Sequence, residues 1–215
     1  MHADFLINRK SQNFMKKILI TTSILATLVT SSAFAKTEGH IVGVNLLRAS
    51  ATNEYQKTEA TASNFAAFKD SSTGFGASYK YAINFDQIFV APGVFFDQLS
   101  LKAKDQDDDT VSASRRYGAK VDVGYDITDN FSAYITGGLA NVSYKVDWKS
   151  ADQKKSGSQA SLIAGIGIAY KVAQNVTLGF EYNTQSATFK TPDNGGINEV
   201  ESKIRVAQIG VAYNF

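Results

Sequence analysis

Four stretches of the chain, GASYKYAIN, VDVGYDIT, GIAYKVA and GVAYNF, each place a tyrosine two residues before an apolar residue: Tyr81 and Ile83, Tyr125 and Ile127, Tyr170 and Val172, Tyr213 and Phe215. Successive tyrosines stand 44, 45 and 43 positions apart. Each ends a segment of clean two-residue alternation, the period of a pleated strand with one apolar face. In the first, Phe75, Ala77, Tyr79, Tyr81 and Ile83 oppose Gly74, Gly76, Ser78, Lys80 and Ala82. The second sets Tyr117, Ala119, Val121, Val123, Tyr125 and Ile127 against Gly118, Lys120, Asp122, Gly124 and Asp126. The third sets Leu162, Ala164, Ile166, Ile168, Tyr170 and Val172 against Gly165, Gly167 and Lys171. The last sets Ala207, Ile209, Val211, Tyr213 and Phe215 against Gln208, Gly210 and Asn214. A propeller blade would pack four strands into such a repeat, but each unit here holds only two convincing ones. The repeat is therefore a hairpin plus a long link.

The partner strands are HIVGVNLLR, IFVAPGVFFDQLSL, FSAYITGGLANVSYKV and VTLGFEYNTQSATF. In two of them Phe95-Phe96 and Gly137-Gly138 allow either register or a bulge. Links after the tyrosine strands are tight (NFDQ, TDN, AQN), whereas 51–72, 103–114, 147–158 and 191–199 read as long loops. Eight strands with short turns on one rim and long loops on the other predict an all-β fold. It is an eight-stranded antiparallel up-and-down transmembrane β-barrel with short periplasmic turns and long extracellular loops.

A soluble barrel would turn the apolar phase inward. Three features favour the reverse. The polar phase is mostly glycine, alanine and serine with few charges, which suits a narrow filled interior. Tyr81, Tyr125, Tyr170 and Tyr213 lie where strands meet the short turns, the place of an aromatic girdle at the periplasmic interface. The chain also ends on an outward-phase aromatic, Phe215.

The first residues are a separate matter. After Lys16 and Lys17 comes an apolar run from 18 to 29, then Ala33-Phe34-Ala35. That order reads as a secretory signal peptide over 15–35, cleaved between Ala35 and Lys36, with 36–215 as the barrel and 1–14 as an upstream extension. Met15 is the more natural start. A spanning helix needs about 20 predominantly apolar residues, and Thr21, Thr22, Ser23, Thr27 and Thr30 interrupt the run.

A signal peptide, eight alternating strands and a terminal Tyr213-x-Phe215 make the chain resemble the small outer-membrane β-barrel superfamily. Its members include OmpA-like barrels and opacity-type porin-family surface proteins of alphaproteobacteria, some of them adhesins. The resemblance covers 36–215. It implies a place in the bacterial outer membrane, contact with its lipid, and a terminal signal at Tyr213 and Phe215 read by the barrel-assembly machinery.

Lys80, Asp97, Lys120, Asp122, Asp126 and Glu181 fall on the inward phase, where a charge escapes the cost of about 2–4 kcal/mol of facing hydrocarbon near the midplane. They line a pore of both signs, or they pair into a network that plugs a lumen only wide enough for side chains. His40, the one histidine after the leader, sits at the short-turn rim and reads as an interfacial residue rather than a catalytic base. DQDDDT at 105–110 fails a calcium loop, since Thr110 stands where glycine is required and Arg116 where glutamate is. Lys102, Lys104, Arg115 and Arg116 flank that acidic stretch and are placed to pair with it. Tyr55, Phe65, Phe68 and Trp148 are aromatics on the expected loops, either recognition anchors or rim packing. A net charge of +2 argues against nucleic acid, and the lack of cysteine excludes disulfides and thiolate sites. With no motif for a cofactor, metal or nucleophile–base pair, the expectation is no enzyme and no cofactor. The functional readings are an adhesin or interaction protein meeting a host or environmental ligand, a small porin, and a structural membrane component.

Overall fold

The computed structural model describes residues 37–57, 68–104, 110–148, 153–194 and 197–215. The expected leader with Ala33, Ala35 and Lys36, and the loop residue Phe65, lie outside them. Eight strands follow in order: β1 Gly39–Lys57, β2 Phe68–Phe85, β3 Ile88–Lys104, β4 Thr110–Thr128, β5 Phe131–Trp148, β6 Gln153–Ala173, β7 Val176–Asn194 and β8 Ile197–Asn214. Each pairs antiparallel with the next, and β8 returns to β1 to close the barrel. At that seam Phe215 donates its N–H to the His40 carbonyl at 2.9 Å.

The tight turns are built from residues suited to them. Asp86 takes φ +65° between β2 and β3, a left-handed conformation that aspartate tolerates better than most. Thr128 accepts the N–H groups of Asn130 and Phe131 on its hydroxyl at 3.3 and 3.1 Å, closing the next turn. Neither ambiguous dipeptide is a bulge. Phe95 points in and Phe96 out within a continuous register, and Gly137 and Gly138 pair in step with both neighbouring strands.

The apolar phase faces outward. Val44, Val121, Ile135, Leu162, Ile166, Phe180 and Ile209 are among the large apolar side chains left exposed, Leu162 at 73%. A continuous belt of this kind has no stable place in water. Along β4 it runs from Ile127 to Tyr117. Ten steps of about 3.4 Å, tilted by about 45°, span roughly 24 Å, a membrane's apolar thickness. A charge at Ile135, midway along the belt and 63% exposed, is therefore costly. Ile135→Arg is expected to lower stability by about 2–4 kcal/mol, read from urea titration of the vesicle-inserted protein by its heat-modifiable gel shift.

The last large apolar side chain of the belt on each strand is Leu46, Phe75, Phe96, Tyr117, Leu139, Leu162, Tyr182 and Ile209 in turn. Beyond it the phase inverts. Leu47, Leu99, Val111, Val142, Phe189, Ile204 and Val206 now point inward and are buried in one apolar cluster, while Arg48, Ser71, Arg115 and Lys145 face out. The segments 51–72, 103–114, 147–158 and 191–199, expected as loops, are thus mostly strand. Only 58–67, 105–109, 149–152 and 195–196 lie between the strands. The alternation persists there, but the apolar residues now take the inward parity, as suits strands that have left the lipid and enclose an apolar core.

In this outer half the wall parts at two seams. The ladder between β2 and β3 runs no further than Phe75 and Gln98, and that between β6 and β7 no further than Ile163 and Gln185. Two four-stranded sheets result, β7–β8–β1–β2 and β3–β4–β5–β6, facing each other across the apolar cluster. At the first seam side chains replace the missing ladder: Ser100 N–H lies 3.4 Å from the Ser72 hydroxyl, and Lys102 N–H lies 2.5 Å from an Asp70 carboxylate oxygen.

Candidate functional site

Inside the belt, the inward charges of neighbouring strands meet. Lys120 on β4 donates to both oxygens of Glu181 on β7, each at 2.6 Å. The Tyr134 hydroxyl donates to the same carboxylate at 3.2 Å and the Asn183 amide at 3.0 Å. Arg116 donates through Nε and Nη2 to one oxygen of Asp97 at 2.9 and 2.6 Å, and through Nη1 to the Asn183 carbonyl at 2.7 Å. Asn183 thereby joins two ion pairs into one network. Phe95 lies between the two cations, with Arg116 at 5.3 Å and Lys120 at 5.8 Å from its ring centre. Lys80 pairs with Asp122 beside this group. Side chains of Asp97, Glu181 and Arg116 are at most 2% exposed, so each charge depends on its partner rather than on bulk water.

Asp126 stands apart, at the short-turn mouth. Its carboxylate accepts from the Thr37 backbone and hydroxyl, from Asn84 and from Ser132. Arg116, expected beside the acidic stretch at 105–109, instead points into the lumen, while Arg115 faces out. A parity count back from Lys120 and Gly118 would have placed it there. Asn183 and Tyr134 were missed because their residue types do not announce a lumen role, and buried Lys171, although on the polar phase, was not counted with the lumen charges.

The lumen is blind. A cavity of about 100 Å³ opens at the short-turn mouth, lined by Lys80, Asp122, Lys171, Ser132 and Gln208 among others. Above it, between Phe95, Arg116 and Asn183, only about 10 Å³ remains, room for one water. Next comes the apolar cluster, where Tyr144 and Phe189 stack with ring centres 4.4 Å apart. Gly43, Gly179 and Gly210 line that lower cavity, but two other inward glycines make room for rings. A Cβ on Gly124 would fall 2.2 Å from the Phe89 ring, and one on Gly167 would fall 2.2 Å from that of Tyr134, so these positions give the rings their room.

At the short-turn rim Tyr81, Tyr125, Tyr170 and Tyr213 all face outward and are 44–51% exposed. Tyr213 meets Phe215 edge-on at 4.8 Å. His40 belongs to the same rim: its Nδ1 lies 2.7 Å from the Tyr79 hydroxyl and its ring 4.9 Å from that of Tyr81. At the opposite end, Tyr55 pairs with Val200, Phe68 with Asn53 and Trp148 with Gln153. These three therefore stand on strand ends rather than on loops.

The fold has counterparts among solved structures. Neisserial surface protein A matches with a TM-score of 0.52 at 17% identity, over 83% of this chain and 98% of its own. Outer membrane protein OprG of Pseudomonas aeruginosa matches at 0.52 and 14% identity, over 86% and 99%. Outer membrane protein AlkL matches at 0.50 and 16% identity, over 87% and 94%. At such identities the likeness is one of fold. No curated protein sequence matches the chain. The family model described as "Outer membrane protein beta-barrel domain" matches residues 21–215. With its closed eight-stranded wall, lipid-facing belt and inward charges, the chain belongs to the outer-membrane β-barrel protein family.

Proposed function

We propose that this protein is a non-enzymatic, non-conducting surface protein of the bacterial outer membrane that anchors a two-sheet β head and binds a host or environmental ligand with its tips. The observation that carries this reading is the buried apolar cluster of Leu99, Val142, Phe189, Ile204 and Val206 above the charged network, since an apolar constriction opposes ion passage. The length of strand beyond the belt supports it, as does the placing of Tyr55, Phe68 and Trp148 near the head's free end. Aromatics of this kind dominate binding hot spots. The barrel-assembly machinery is the proposed reader of Tyr213 and Phe215, and cleavage before Lys36 the proposed route of export.

Two measurements test the reading. Refolded protein that shows the heat-modifiable gel shift should give no discrete current steps in a planar bilayer. Reproducible steps would favour the small-porin reading, for which the cavity at the short-turn mouth speaks, and charge reversal at Lys80 or Lys120 should then change ion selectivity. Removing 58–67 and rejoining β1 to β2 should abolish binding to host cells. The cut must stop there, because Ala51 and Asn53 are buried in the head. Unchanged binding would clear this tip and move attention to Trp148.

A further inference from the structure

The two seams of the outer half are not alike. At the first, Ser72 and Asp70 bridge β2 to the N–H groups of Ser100 and Lys102. At the second, Gln185 forms the floor, its amide donating to the Ser161 hydroxyl at 2.8 Å and the Ala140 carbonyl at 3.1 Å. Above it β6 is paired only with β5, and β7 only with β8. Parity tells which backbone groups face the gap. Lys171 donates its N–H to the Asn130 carbonyl at the foot of β5, and the β5–β6 register runs unbroken from there. Odd residues of β6 thus donate toward β5 and even ones toward β7. The N–H groups of Ser156, Ser158 and Ala160 therefore point into the seam without a ladder partner. Across the gap, Lys190 N–H lies 3.3 Å from the Tyr144 hydroxyl, a side chain standing where a strand is missing. The β6 edge is also bare, since Lys154, Lys155, Ser156, Gly157 and Ser158 are exposed in succession.

We propose that the β6 edge over 154–160 takes up an extended acidic segment of another protein by strand addition. An uncovered strand edge is a template for a further extended chain, whose backbone supplies the missing ladder. Charge selects the chain. Lys145 and Lys154 face outward beside the edge and Lys155 is exposed on it. Among the described residues of this edge the one acid is Asp147, 3.6 Å from Lys154. A second copy's β6 would set like charges side by side, whereas an acidic strand meets opposite ones. The incoming backbone pairs with Ser156, Ser158 and Ala160, and its carboxylates lie beside Lys145 and Lys154. The inference deepens the proposed function, since it rests on the head being the part that binds.

The test uses the full barrel in detergent micelles and a labelled peptide of alternating valine and glutamate, as long as the seam. Its twin is N-methylated at alternate residues, which keeps the charge and removes the backbone donors. Wild-type protein should bind the first peptide, slow amide exchange at 156–160 and ignore the twin. Ser158→Pro removes a seam-facing donor but no ladder bond of the barrel. The heat-modifiable shift should therefore persist while affinity falls at least about tenfold, from lost backbone bonds and the ring's bulk. If that variant loses the shift, Lys145→Glu with Lys154→Glu is read instead, with an expected loss of about fivefold. No binding by wild type, equal binding of the twin, or affinity unaltered by the substitutions overturns the proposal. Host-cell binding that depends on 58–67 in a protein that ignores the peptide would sink this inference alone. Peptide binding by a protein that host cells ignore would sink the host reading alone.

Discussion

Replacing Glu181 with leucine is expected to lower the barrel's stability by about 3–5 kcal/mol. The carboxylate is the shared acceptor of Lys120, Tyr134 and Asn183, and Lys120 is 5% exposed with no other acceptor as near. Removing the acid leaves an ammonium stranded in a narrow lumen, where the desolvation already incurred is no longer offset. The double variant Glu181→Leu with Lys120→Met should return to within about 1 kcal/mol of wild type or exceed it, since replacing a whole buried pair by apolar groups is often neutral or better. Urea titration in vesicles, followed by the heat-modifiable shift, gives both numbers. A single variant losing less than about 1 kcal/mol would mean that lumen water solvates Lys120, and that the network is looser than its distances.

Phe189→Ala should cost about 3–5 kcal/mol, the range for emptying a buried aromatic site, but the loss should be local. Phe189 is 1% exposed and stacks on Tyr144 in the head's core, beyond the row where the lipid belt ends. Amide exchange should therefore rise along 186–190 and 142–146, while 176–182, inside the belt, keeps its protection. Uniform loss of protection along β7 would show that the head and the membrane-embedded barrel unfold as one unit. The silent bilayer expected of wild type belongs to the same argument, since Phe189 is part of what closes the lumen.

How far the sequence reached depends on which residues one asks about. Tyr81, Tyr125, Tyr170 and Tyr213 disclosed four strands and their rim by spacing alone, and the inward parity of Lys80, Lys120 and Asp122 follows from theirs. The head escaped notice for a physical reason. Beyond Ile209 toward the free end, the apolar residues of β8 are Val206 and Ile204, on the opposite parity. One inside-outside rule applied to the whole strand reads this as the end of the pattern, when it is the place where lipid gives way to water. Leu46-Leu47 marks the same boundary on β1, and Phe96 followed by Leu99 marks it on β3.

Local alternation, turn chemistry and the requirement that every backbone group inside a bilayer be paired were enough to specify a closed eight-stranded wall and the face it shows to lipid. Those are nearest-neighbour properties of the chain, so the sequence by itself determined them. Which charges meet was decided only in three dimensions. Arg116 finds Asp97 across the β3–β4 pair, and Lys120 reaches Glu181, 61 positions away, across the lumen. The lumen's closure was decided there too, because whether inward glycines leave a channel or receive the rings of Phe89 and Tyr134 depends on side chains from other strands filling the same space.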